Sequence, residues 1–172
     1  MDFFDVVKER HSVRAYKKKE VKEEKLQKIL EAANAAPSAG NLQSYEIVVV
    51  KDKKIREKTA AATFGQDFIA EAPVLLVICA NTKRAAKYGR RGRELYCIND
   101  ASIAAAYIQM AAAALGLATV WVGAFDEADV GRIVNAPMNM RPIAIIPVGY
   151  PDEKPGPTSR RSLGDLVHNE TF

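Results

Sequence analysis

The chain is poor in the residues from which most protein-borne catalysis is built. Its 172 residues include two histidines, two cysteines and one tryptophan. His11 and His168 are too few for a zinc site, and a Ser-His-Asp triad has almost no raw material. Cys79 and Cys97 belong to no Cys-x-x-Cys or Cys/His spacing, which argues against a disulfide scaffold and a metal ribbon. Cys97 as a nucleophile lacks an identifiable activating base. The basic-then-apolar layout of a signal peptide is also missing, since the chain opens Met1-Asp2-Phe3-Phe4-Asp5, so the cytoplasm is the expected compartment. From Ala101 to Phe125 the chain is mostly apolar, but Ser102, Gln109, Gly116 and Thr119 interrupt it. That stretch reads as a buried helix, capped by Asp100, and then a strand, with no membrane span.

Strong charge of one sign is absent too. The balance of 25 Lys and Arg against 21 Asp and Glu leaves +4, which permits an anionic ligand without demanding nucleic acid. A basic nucleic-acid-binding module, suggested by Arg90-Arg91-Gly92-Arg93, is the rival reading, and it finds no recognition motif to support it. With 48% hydrophobic and 27% charged residues, the composition is that of a folded chain. One domain over residues 1–172 is expected, burying roughly 70% of its unfolded surface.

What is present is a clear succession of elements. Leu26, Ile29, Leu30 and Ala33 recur at helical spacing between Glu23 and Ala36, and Pro37 closes that helix. Glu46 to Val50 is a β-branched strand, and a helix follows Asp52 to about Ala62. Val74 to Ala80 is an unbroken apolar run of strand length, which predicts a central strand buried on both faces. Strands are further predicted at Ala118 to Val122 and Ile143 to Val148, with a helix from Glu127 to Val134 between them. Pro147 predicts that the last strand ends there or lies toward an edge. The helix from Asp100 to Leu115 is apolar nearly all round, so one sheet cannot cover it; a twofold dimer seam or other parts of the same chain must supply the rest. Residues 150–172, with Pro151, Pro155 and Pro157, read as an extended arm. The order predicts a layered α+β fold.

Arg10-His11-Ser12-Val13-Arg14 sends two guanidinium forks and a hydroxyl to one side of an extended chain, which suits phosphate or carboxylate oxygens. Two solvated arginines beside a turn serine would have the same spacing. Two more segments stand out: Pro37-Ser38-Ala39-Gly40-Asn41-Leu42-Gln43, and Trp121-Val122-Gly123-Ala124-Phe125-Asp126 after a strand.

These three segments, with Ala72-Pro73, Gly149-Tyr150-Pro151 and Arg160-Arg161, occur in an order that resembles the flavin-dependent nitroreductase family over nearly the whole chain. The resemblance implies a three-layer α/β/α fold with a central, mostly antiparallel sheet, in an intertwined homodimer holding FMN at the subunit interface. It implies that Arg10 and Ser12 meet the FMN phosphate and ribityl chain, with Arg160 or Arg161 adding phosphate contact, and that Arg14 lies near the flavin pyrimidine edge. His11 is expected to pack or to cap backbone. Ser38, Asn41 and Gln43 would reach the flavin of the partner subunit, although they could also be ordinary turn residues. The family's usual proline and aromatic after that glutamine are Ser44-Tyr45 here. Val122, Gly123 and Ala124 match the turn that approaches flavin N5 and O4, and Gln66 matches an amide near the pyrimidine ring. The 150–172 arm would pack on the partner.

The implied activity is reduction of small electron-poor acceptors, such as nitroaromatics, quinones or enones, with NADH or NADPH as donor and ping-pong hydride transfer through flavin N5. An FMN-binding protein with another reductive role is the alternative. Lys83, Arg84, Lys87, Arg90, Arg91 and Arg93 could attract donor phosphates or an acidic substrate, or form a plain solvated loop. No protein catalytic residue is expected, beyond tuning of the cofactor by Arg14.

Overall fold

Alternation along the strands divides the interior in two. The computed structural model, which describes residues 2–172, contains a four-stranded antiparallel sheet of order β1-β2-β4-β3. The strands are β1 (Tyr45–Val50), β2 (Val74–Asn81), β3 (Ala118–Thr119) and β4 (Met140–Gly149). The helices are α1 (Phe3–Glu9), α2 (Glu23–Asn34), α3 (Lys53–Ala61), α4 (Gly89–Arg91), α5 (Cys97–Ala114), α6 (Glu127–Ile133) and α7 (Leu163–Leu166). Along β2, Val74, Leu76, Ile78 and Ala80 enter one core, while Leu75, Val77 and Cys79 enter the other. The first core is closed by α2 through Leu26 and Ile29 and by α5 through Ala101, Ala104 and Ile108. The second is closed by Ala60 of α3, Val130 of α6, Ile69 and the N-terminal Val13 and Tyr16. Three layers result, and β2 is buried over its whole length because it is paired on both sides.

Two expectations need correction, and each has a local cause. Pro147 neither ends the last strand nor puts it at an edge: β4 runs on to Gly149 and lies between β2 and β3. Ala118 pairs with Gly149, Thr119 with Val148 and, in the same register, Val122 with Ile145. Val120 therefore faces Pro147, which has no N–H to give, and no main-chain hydrogen bond joins the two among the described residues. The proline acts on its neighbour, cutting the predicted Ala118 to Val122 strand to two residues and a bridge. Pro142 is tolerated at a bulge, where β2 and β4 slip by one residue opposite Ile143.

Asp100 is not a helix cap. Helix α4, a π turn over Gly92–Tyr96 and α5 run on without a break, so Asp100 sits inside the helix and is 2% exposed. The Arg90–Glu94 pair, 2.8 Å apart at helical spacing, was the sequence signal for the earlier start.

The two ends of the chain meet. Ser12 bridges Thr119 in parallel, and Tyr16 bridges Pro151 in antiparallel. Lys17 N–H donates to the Tyr150 carbonyl and Asp152 N–H to that of Ala15, both at 2.9 Å. A Cβ on Gly149 would lie 2.9 Å from both Pro73 and Tyr16, so only glycine lets this seam close. From Gly156 to the end every residue is exposed.

Candidate cofactor site

The N-terminal segment leaves α1 in extended conformation at Arg10. His11 Nδ1 donates to the Glu9 carbonyl at 3.0 Å, the capping role expected of it. Val13 is buried in the second core, whereas Arg10 and Ser12 are half-buried and Arg14 is exposed, as alternation requires. A hollow of about 480 Å³ opens here, lined by Arg10, His11, Thr119, Glu153 and Lys154 with apolar walls including Leu117 and Pro155. Among the described residues none of Arg10, Arg14 and Lys154 is in an ion pair. Two carboxylates intrude: Glu9 and Glu153 both line the hollow, and Glu153 accepts the Arg14 N–H. Beneath it, Tyr16 donates to the Val13 carbonyl at 2.7 Å, and burial, seconded by Glu153, pushes its phenol well above the usual range.

Following the same edge of the sheet leads to the Val122–Asp126 turn. Gly123 and Ala124 are exposed, and their N–H groups have no protein acceptor among the described residues. The turn itself is held firmly. Gln66 Nε2 donates to the Ala124 carbonyl at 2.8 Å and to Thr63 at 2.9 Å, and Asp126 N–H donates to Ala62 at 2.8 Å. Asp126 also caps α6 through Asp129 N–H. Thr119, beside Ser12, is four residues from Gly123, roughly 13 Å of extended chain.

The loop before β1 is the most constrained irregular segment of the chain. Gly40, Asn41 and Gln43 have φ of 56°, 56° and 42°, a region that costs a residue with a side chain about 1 kcal/mol or more. Internal bonds offset this. Ser38 Oγ accepts from Gln43 N–H at 2.9 Å, and the Gln43 amide donates to both the carbonyl and the side chain of Asn41. Asp100 holds the loop from below, accepting Ala39 N–H at 2.9 Å, Ser44 N–H at 3.3 Å and the Ser44 hydroxyl. Where the family usually has proline, Ser44 therefore supplies a buried tie. Sequence reasoning missed Asp100 and Glu153; a carboxylate on an otherwise apolar helix face was the available signal for the first.

The candidate residues thus fall into separate places. Arg10, His11, Ser12 and Arg14 share one edge with Gln66, Val122, Gly123 and Ala124. Ser38, Asn41 and Gln43 precede β1, at the opposite edge, three strand spacings or roughly 14 Å away. They also lie at the other end: Tyr45 aligns through Ala80 with Arg141, seven residues along β4 from Val148, the partner of Thr119, which adds roughly 23 Å. Arg160 and Arg161 bond only within the arm, to Thr158, Ser159 and Asp165. Cys79 and Cys97 are buried, and desolvation pushes the Cys79 thiol up to about 11, so neither is a ready nucleophile. Among the described residues no His/Cys/Asp/Glu group could hold a metal, and no helix is long and apolar enough to cross a membrane.

The nitroreductase family model matches residues 7–66 and 57–150, which contain both the cradle and the turn. The chain belongs to the nitroreductase family. A Thermus thermophilus NADH dehydrogenase is 32% identical over 92% of this chain and 91% of its own length. An FMN reductase [NAD(P)H] of Bacillus subtilis is 30% identical over 94% of this chain and 70% of its own. Among solved structures, the NADPH:FMN oxidoreductase of Vibrio harveyi complexed with NAD+ superposes with a TM-score of 0.92 at 25% identity, covering 99% of this chain and 77% of that one. The nitroreductase-like α+β layering expected from sequence is therefore the fold of this chain.

Proposed function

We propose that the chain is an FMN-dependent NAD(P)H oxidoreductase whose site is completed by a second copy of itself. Family membership and the two flavin-reducing relatives make it an NAD(P)H-dependent flavin oxidoreductase. The observation that carries the site assignment is that unpaired cations and free N–H donors lie along one edge of the sheet. Arg10 and Lys154 line the hollow without an ion-pair partner among the described residues, cationic donors of the kind a phosphate dianion needs. Farther along, the Gly123 and Ala124 N–H groups suit the polar edge of a flat ring, with Gln66 fixing the turn. The residues present therefore fit FMN.

Bound there, FMN supplies hydride transfer between a nicotinamide and a second acceptor through its N5. The chain's own residues bind and tune. Arg10 and Ser12 retain the phosphate end; Arg14 sets a cation beside the ring, favouring its more negative reduced form. With no protein acid or nucleophile in the assignment, donor and acceptor occupy one cavity in turn. Small electron-poor acceptors such as nitroaromatics, quinones or enones fit this scheme.

Ser38, Asn41 and Gln43, at the far corner of their own sheet, serve the partner's flavin. Three exposed apolar features support that partnership. Phe3 and Phe4 of α1 are 67% and 72% exposed, Tyr107 lies open on α5, and the arm shows Leu163, Leu166 and Phe172 to solvent. Arg160 and Arg161, far from the cradle in their own chain's bonding, reach it across the dimer. The test is the visible spectrum of the purified protein with anaerobic NADH or NADPH. Flavin bands that bleach on addition are expected; a colourless protein that refuses FMN sinks the proposal.

A further inference from the structure

The site leaves unused the most basic stretch of the chain, Lys83 to Arg93. It is not a pliant loop. Residues Arg84–Tyr88 form a 3₁₀ turn leading directly into α4. Buried Asn81 accepts the Arg84 N–H at 3.1 Å and donates to Glu46 at 3.0 Å. A Cβ on Gly92 would lie 2.9 Å from the Tyr88 Cβ and would collide with the Ala85 carbonyl, so the π turn is seated directly on the 3₁₀ turn. Tyr88 and Tyr96 meet edge to face at 5.4 Å.

On this platform most of the cations lack a carboxylate partner. Arg90 pairs with Glu94, but Lys83, Arg84, Lys87, Arg91 and Arg93 enter no ion pair among the described residues. Two of them adjoin the strained loop. Arg84 Nε donates to the Leu42 carbonyl at 2.9 Å, leaving the rest of the guanidinium free. Lys87 Nζ lies 3.1 Å from where a Cβ on Gly40 would be, beside the Tyr88 hydroxyl.

We infer that this turn docks a phosphate group of the dinucleotide donor, with Lys87 and Arg84 as its main contacts. The inference rests on the reading of Ser38, Asn41 and Gln43 as a loop serving the partner's flavin. A nicotinamide stacked at that flavin must trail its phosphates past this loop, and the nearest free cations are on the turn behind it. A fixed platform loses little conformational entropy on binding. The phosphate is either the pyrophosphate common to both donors or the 2′-phosphate found only in NADPH.

The experiment is calorimetric titration of the FMN-loaded protein with adenosine 2′,5′-bisphosphate and, separately, with ADP, in the wild type, Lys87→Ala and Lys87→Glu. Lys87 is exposed, and an unchanged thermal midpoint verifies that the variants fold. Weakening of about threefold to tenfold in Lys87→Ala, larger in Lys87→Glu and shrinking at high salt, is expected. Loss confined to the bisphosphate assigns the 2′-phosphate; loss for ADP, alone or together with the bisphosphate through their shared 5′-phosphate, assigns the pyrophosphate. Wild-type protein that holds FMN but binds neither nucleotide, or variants that bind both unchanged, overturns this inference alone. Refusal of FMN overturns the reading beneath it as well.

Discussion

The loop Ser38–Ser44 and the arm from Gly156 to Phe172 are both irregular, yet they are opposite in construction. In the loop nearly every polar group is answered from within the chain: Ser38, Asn41 and Gln43 bond one another, and buried Asp100 takes three donors at once. Along the arm every residue is exposed, and apolar Leu163, Leu166, Val167 and Phe172 each keep more than half of their surface in water. A segment that holds unfavourable φ angles against solvent must be tied internally, whereas one that displays apolar side chains needs an outside surface. The loop is finished by this chain; in the proposed dimer, the arm is finished by another.

Three variants test that contrast. The largest effect is expected from Asp100→Ala, which strands the Ala39 and Ser44 donors below the surface; a loss of about 3 kcal/mol follows from breaking charge-assisted bonds. Urea unfolding measures it as a lower midpoint with an unchanged slope. If the midpoint stays put, the loop is held by something else. Removing residues 158–172 comes second and acts on a different quantity. Unfolding of the dilute protein should move by no more than about 0.5 kcal/mol, while the monomer–dimer equilibrium shifts tenfold or more, about 1.4 kcal/mol. Sedimentation velocity over a concentration series resolves the two, and a large stability loss with intact dimers would erase the contrast. Smallest is Gly40→Ala, about 1 kcal/mol, because φ of 56° and the Tyr88 hydroxyl both oppose a side chain. Thermal melts of Gly40→Ala with and without Tyr88→Phe separate the backbone cost from the crowding.

Much of the fold could be read directly from residue pattern. The run Val74 to Ala80 has no polar interruption, and it is the strand paired on both sides. Leu26, Ile29 and Ala33 recur at helical spacing and are the buried face of α2. Illegible parts depended on partners distant in sequence. Pro147 shortens β3 because Val120 lies opposite, 27 positions away in sequence, and a pattern within β4 alone cannot show it. Asp100 looked like a cap because carboxylates before apolar runs usually are; only the loop that folds onto it reveals the tie.

The candidate site divides in the same way. Gly123, Ala124 and Gln66 were named separately and do meet, through the Gln66 amide and the Ala124 carbonyl. Arg10, Ser12 and Arg14 have the expected alternation, but the Glu153 carboxylate beside them follows from the terminal seam. No local pattern announces a contact between residues so far apart.

That seam also constrains how the protein comes into being. Arg14 and Glu153 are 139 residues apart, and the segments around them bond through Lys17, Tyr150, Ala15 and Asp152. On a ribosome the first dozen residues emerge early but have nothing to dock against until α5, then Thr119 and then the 150–152 segment have been made. Closing so wide a loop is entropically slow compared with forming α2 or the β1–β2 hairpin. The cradle, first in the sequence, is therefore among the last parts to be completed, and chains truncated before residue 150 would keep the Ser12–Thr119 bridge but lose the contacts that hold Arg14 to Tyr16, even if both cores had condensed.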